Sequence, residues 1–245
     1  MMKKSLLMIA AAAAVVLSAG PAMGFESEFL DRSPTSPEIT FIGHGTLMFR
    51  QGATVIHVDP WGQLADYGKL PKADLVLITH EHRDHLDLQA IESARKDSTV
   101  IVAPETAAKQ IKGAVVMKNG DVKTILGIPV EAVPAYNLVH MRSPGTPYHP
   151  KGAGNGYIIT FTFRRVYIAG DTENTPEMKA LKDIYAAFLP MNLPFTMTPE
   201  MVADAARAFR PKILYPYHFG ETDVQKLVTL LKDEKGIEVR IRKMK

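Results

Sequence analysis

The chain has 245 residues, no cysteine and a formal net charge of +3. That length suits one sizeable domain, and the lack of cysteine excludes disulfides and thiol chemistry, so the core must stand on packing, with any bound metal as added support. Residues 1–24 carry Lys3, Lys4 and no acid, so without them the charge falls by two to +1, and a near-neutral domain gives no support for nucleic acid as a partner.

Residues 1–24 read as a signal peptide. Lys3 and Lys4 are followed by an apolar run over residues 6–17 and then by small residues to Gly24. About twenty apolar residues are needed to span a membrane, and this run is shorter. Cleavage after Ala22 or Gly24 is expected, with no stable membrane anchor afterwards and export to the periplasm or the medium. The absence of cysteine excludes the lipid-anchored variant of such a signal.

Residues 25–37 are polar and read as an N-terminal arm, and residues 38–245 as one domain. Residues 38–42, 46–50 and 54–58 are strand-like, with glycine turns between them. Residues 74–79 form a short, nearly continuous apolar run that suits a strand buried on both faces. Helical spacing over 86–94, a strand over 99–103 and a helix over 105–112 follow. Two strands fill 122–134, with Gly127 at their turn.

Residues 138–156 are expected to be a long, functional loop, with the glycine-rich run 152–156 as its flexible edge. Residues 156–163 and 166–169 read as a hairpin turning at Arg164 and Arg165. Thr175-Pro176 and Thr198-Pro199 open helices, with Thr198 as N-cap and Pro199 at the first helical position. Strands over 186–190, 212–217 and 237–241 and a helix over 222–232 complete the chain. Hairpins come first, then alternating strands and helices, then the same again. That order predicts two sheets packed face to face with helices outside.

After the strand at 74–79 comes Thr79-His80-Glu81-His82-Arg83-Asp84-His85. His80 and His82 are two apart, so in an extended segment their imidazoles leave on one side and can grip one cation. Asp84 and His85 follow as the chain turns and suit a second cation nearby. Imidazole with carboxylate suits zinc, and also iron, manganese or nickel. Glu81 and Arg83 are expected to face away. His57 alternates with Ile56 and Val58 and reads as structural. Asp59 reads as an acceptor for a metal-binding imidazole.

His-x-His-x-Asp-His after a strand resembles the signature of the metallo-β-lactamase-fold hydrolases, and the likeness runs from about Ile39 to the end. Residues 41–44 and 58–61 look like the opening hairpins of the branch containing the L-ascorbate-6-phosphate lactonases and the N-acyl phosphatidylethanolamine-hydrolysing phospholipase D. The resemblance implies an αββα four-layer sandwich and a hydrolase with two divalent cations, zinc foremost. It further implies a bridging aspartate, matched by Asp171 in Gly170-Asp171-Thr172, and a late histidine, matched by His218. Asp84 and Asp171 would also serve catalysis, with Asp171 orienting the attacking water.

One departure is visible. The family commonly places a third histidine after a Pro-Ala step, and here Pro134-Ala135-Tyr136 is followed by Asn137. His149 is taken to fill the gap, and His140, a water or a one-metal site compete. His44 is a further candidate beside the site. The substrate implied is a small molecule with an ester-like bond, a lactone or phosphodiester before a β-lactam. A non-catalytic metal- or ligand-binding descendant of the fold is the alternative, and Asn137 is its support.

Overall fold

The computed structural model describes residues 24–244. The signal-peptide reading lies outside them, save for Gly24. The first sheet contains β1 (Glu26–Phe29), β2 (Glu38–Gly43), β3 (Thr46–Gln51), β4 (Thr54–Val58), β5 (Ala73–Leu77), β6 (Arg95–Ala103) and β7 (Val115–Val116), side by side in chain order. β1 to β4 form an antiparallel meander, and β4 to β7 are parallel.

β8 (Val122–Ile125) and β9 (Ile128–Ala135) begin the second sheet. A separate small hairpin, β10 (Met141–Ser143) with β11 (Thr146–Pro147), interrupts it. β12 (Gly154–Phe161), β13 (Arg164–Ile168), β14 (Ile184–Pro190), β15 (Ile213–Tyr217) and β16 (Glu238–Val239) complete it. β8, β9, β12 and β13 are antiparallel, and β13 to β16 are parallel. The two sheets thus repeat one plan.

Side-chain alternation explains the layering. Leu75 and Leu77 of β5 enter the main core, while Val76 faces the opposite way. There it packs with Ile91 of α1 (Leu88–Ala94) and Ala107 of α2 (Glu105–Ala108). β3 does the same: Leu47 and Phe49 face inward and Met48 outward. A strand with two buried faces needs apolar residues at nearly every position, and this produces the run Leu75-Val76-Leu77-Ile78 within 74–79. On the far side of the second sheet, α3 (Pro176–Lys179), α4 (Pro199–Phe209) and α5 (Val224–Leu231) lay Met178, Val202, Phe209 and Leu227 into the main core. Thr175 and Thr198 cap α3 and α4, accepting from the backbone N–H of Met178 and Met201. The result is the expected αββα sandwich.

Several local expectations fail for identifiable reasons. The polar arm contains β1, which pairs along β2. Its Glu28 bonds Arg240 at 3.0 Å and also Arg242, so a polar strand is held by charge at a sheet edge. α2 stops at Ala108, and β7 was not foreseen. The β12–β13 hairpin turns at Thr162, where φ is 53°, one step before the arginines. Arg164 and Arg165 instead pair with Asp31 and Glu131.

The glycine run is no flexible edge. Gly154 and Gly156 lie inside β12, paired with β9 and buried. A Cβ at Gly154 would sit 3.3 Å from the His80 Cβ, and one at Gly156 would sit 2.7 Å from the Ala169 carbonyl oxygen. Glycine here lets the second sheet pass close beneath the histidine segment. Gly170 makes a sharp turn beside Asp171, at φ 65°, and a Cβ there would meet the Asn155 carbonyl oxygen at 3.0 Å. Gly170→Ala therefore combines a left-handed backbone with a clash. It is expected to cost about 3 kcal/mol, a melting-temperature fall of roughly 6–12 °C. An unchanged melt would contradict this packing.

Candidate metal centre

The candidate residues meet on one rim because each follows the end of a strand. His80 to His85 follow β5, Asp59 follows β4, Asp171 follows β13 and His218 follows β15. The parallel strands of both sheets deliver their carboxyl ends to this rim, where loops are free to diverge. Backbone bonds between the layers fix the rim: Asn155 N–H donates to the Thr79 carbonyl at 2.8 Å and His218 N–H to the His44 carbonyl at 2.9 Å. His44, Asp59 and His218 hold left-handed backbones, with φ of 51°, 45° and 44°. Such conformations cluster at functional sites.

Two groups form around Asp171. In one, candidate ligand atoms of His80, His82 and His149 lie within 4.8 Å of one another. His149 Nε2 is 3.2 Å from His82 Nδ1 and 3.4 Å from Asp171 Oδ2, and His80 Nε2 is 3.9 Å from the same oxygen. In the other, Asp84, His85 and His218 gather with His44. His85 Nε2 is 3.5 Å from Asp171 Oδ1, and His218 Nε2 is 3.5 Å from Oδ2 and 3.7 Å from Asp84 Oδ2. Asp171 thus lies between the groups.

The residues fit divalent metal binding. His80 Nε2, His85 Nε2, His218 Nε2 and Asp171 Oδ1 are buried and have no hydrogen-bond partner. Buried polar atoms are seldom left so, and these four face a common space. Imidazole nitrogens with shared carboxylates are the donor set of zinc and similar metals.

Neighbouring bonds set the tautomers. The buried Asp59 Oδ1 accepts from Thr79 N–H at 2.7 Å; Oδ2 accepts from the Thr79 hydroxyl at 2.5 Å and from His85 Nδ1 at 2.7 Å. With its hydroxyl proton committed, Thr79 Oγ1 accepts from His80 Nδ1 at 3.0 Å. One carboxylate therefore leaves the Nε2 lone pairs of a histidine in each group free for a cation. Burial raises the pKa of Asp59 despite these bonds.

Asn137 does the same for His149. Its Oδ1 accepts from His149 N–H at 2.7 Å and from Nδ1 at 2.8 Å. Its Nδ2 donates to Glu173 Oε1 at 3.1 Å and to the Phe195 carbonyl at 2.9 Å, which fixes the amide's orientation. Asn137 stands behind His149, and His140 is turned away, 2.7 Å from Glu173. Glu173, buried two positions after Asp171, was not singled out from the sequence. It accepts backbone N–H groups of Leu138, Val139 and His140, each at 2.7 Å, and so ties down the loop that carries Asn137. An acid so close to Gly170-Asp171 was its only signal.

Burial opposes charge at His85 and His218, but the facing carboxylates outweigh it. Asp171 is foremost, raising His85 and taking His218 up to about 10. Burial likewise raises Asp171, yet His218 and His85 hold it well below the carboxylate range. Burial and crowding by neighbouring histidines lower His80 and His82. At pH 7 the metal-free site thus stores a proton on His218, which a cation must displace. Zinc affinity is expected to rise about tenfold per pH unit for each proton displaced between pH 6 and 9, with proton release in calorimetry. Affinity flat across that range would contradict the arrangement. In the metal-free fold, His218 stabilises fully below its ordinary value of 6.5, and that contribution fades as pH rises through about 10.

His57 is buried on the other face of β4, donates to the Pro71 carbonyl at 2.9 Å and is pushed down to about 4 by burial, as befits a structural histidine. Glu81 accepts from the Thr106 hydroxyl at 2.8 Å. Arg83 was expected to face away but lines the cavity with Asp84, because the chain turns after His82, whose carbonyl accepts from both His85 and Leu86. The long loop 138–156 supplies Arg142 and Tyr148 to its wall, a second loop after β14 supplies Asn192 and Phe195, and its volume is about 310 Å³.

The fold and the paired histidine–carboxylate groups define a metallo-β-lactamase-type protein. The chain belongs to the beta-lactamase superfamily domain family, whose model matches residues 38–218. Its relatives include UPF0173 metal-dependent hydrolases of Koribacter versatilis, 33% identical over 75% of this chain and 84% of the relative, and of Thermococcus kodakarensis, 32% identical over 75% and 84%. A solved structure from Parabacteroides distasonis, named a metal-dependent hydrolase, is 50% identical with a TM-score of 0.85, covering 90% of this chain and 100% of that one. Igni18 of Ignicoccus hospitalis, at 24% identity and a TM-score of 0.71, covers 85% and 95% and shares the fold.

Proposed function

We propose that this chain is an exported hydrolase that holds two divalent cations, zinc foremost, and cleaves an ester-like bond of a small molecule, a lactone or phosphodiester before an amide. The carrying observation is the convergence of two donor groups on Asp171, with four buried donor atoms lacking any other partner. When bound, the cations would supply a water acidified from a pKa of about 15.7 toward about 7 and Lewis acidity at the attacked oxygen. His80, His82, His149 and Asp171 would hold one, and Asp84, His85, His218 and Asp171 the other. Asp171 reaches both groups and is positioned to orient the nucleophile. Asp84, partly exposed and 3.0 Å from His44 Nε2, opens to the cavity and offers a path for the proton.

The non-catalytic alternative drew its support from Asn137. That residue is bonded to His149, which takes the third place beside His80 and His82. The test is elemental analysis beside a panel of lactones and phosphodiesters. Two equivalents of metal are expected, with activity lost on chelation and restored by zinc. His82→Ala should lose most of its metal and nearly all hydrolysis while staying folded. Equal hydrolysis by a well-loaded wild type and by this variant would overturn the reading.

A further inference from the structure

The chain has eleven arginines, and eight of them pair with a carboxylate. Arg32, Arg83 and Arg142 have no such partner among the described residues, and two of these three line the same cavity. They reach it from different parts of the chain: Arg83 from the histidine segment and Arg142 from β10. The acids of that cavity, Asp84 and Asp171, are already engaged by histidines. A guanidinium keeps its charge and offers a planar fork of donors that matches a carboxylate or a phosphate.

A second feature adjoins the first. The Arg142 guanidinium lies 5.8 Å from the Tyr148 ring centre, and Tyr148 packs edge-on against Phe195 at 5.0 Å. Leu138, Val139 and Leu193 are exposed on the same two loops. The cavity wall therefore carries two guanidinium groups together with an aromatic pair, Tyr148 and Phe195, one of which adjoins Arg142.

We propose that Arg83 and Arg142 form an anion subsite, and that the natural substrate carries a phosphate or carboxylate together with an aromatic or acyl part lying on Tyr148 and Phe195. The word substrate rests on the hydrolase reading above; the anion subsite does not. Charge-assisted bonds to a guanidinium are strong enough that losing one should weaken binding tenfold to a hundredfold.

The test is calorimetric titration of the zinc-loaded full chain with phenylphosphonate, benzoate and inorganic phosphate, repeated on R83Q and R142Q. Arg142 sits on an exposed hairpin and bonds to no candidate ligand, so R142Q should keep the metal content, checked by elemental analysis. Phenylphosphonate or benzoate should bind at least tenfold more weakly to each variant, and the better ligand of the two names the anionic group. Affinity within twofold of wild type in both variants would overturn the subsite. Inorganic phosphate binding as tightly as phenylphosphonate would remove the apolar half. A well-loaded protein inactive on every ester yet showing arginine-dependent binding would sink the hydrolase reading alone. Active enzyme with arginine-insensitive binding would sink this inference alone.

Discussion

Asp171→Asn is expected to lower kcat/KM by at least about a thousandfold, about 4 kcal/mol of transition-state stabilisation. Asp171 is in reach of both groups, with Oδ1 near His85 and Oδ2 near His80, His149 and His218. Asparagine keeps the size but gives up the charge and one of the two oxygens. Cation content should fall with activity, since a neutral amide is a weaker ligand for such metals. The fold should survive, because Asp171 sits at the rim beyond the end of β13. Elemental analysis, circular dichroism and initial rates decide the matter together. Full metal content with a rate within tenfold of wild type would remove Asp171 from the centre of the chemistry.

Asp59→Ala is expected to damage both stability and metal binding. The substitution leaves His85 Nδ1 and both Thr79 donors without their acceptor inside the protein. Removing one member of a buried charged network costs about 3–5 kcal/mol, a fall of roughly 6–20 °C in melting temperature for a domain of this size. Loss of a residue that orients metal-binding histidines typically weakens metal affinity about 10–100-fold, and here one histidine of each group depends on it. Asp59→Asn should separate the two effects. It keeps an oxygen for Thr79 N–H, so more stability survives, while zinc affinity still falls. Melting curves and zinc titrations of both variants check this. A wild-type melt and wild-type affinity in Asp59→Ala would show that the histidines need no such partner.

The histidine segment was legible because its donors are adjacent in sequence and follow a strand marked by its own apolar run. Asp171 and His218 were legible only through resemblance; Gly-Asp-Thr or a histidine among tyrosines says little alone. Spacing alone did not separate His149, the residue taken, from His140, since both lie in one loop rich in proline and glycine. Asn137 and Glu173 separate them: the amide oxygen takes up His149, and the carboxylate takes up His140. Arg83 was misplaced because period-two alternation holds only while the chain is extended, and it turns directly after His82.

Sequence alone determined the layered plan and half of the metal chemistry. Strand periodicity, helix caps and ligand spacing are local properties, written within a few residues of one another. Which loop histidine joins His80 and His82, that one buried aspartate orients histidines of both groups, and that two arginines line one cavity were decided only by the tertiary structure. Each depends on contacts between segments brought together when the two sheets pack, and no local pattern encodes such distances.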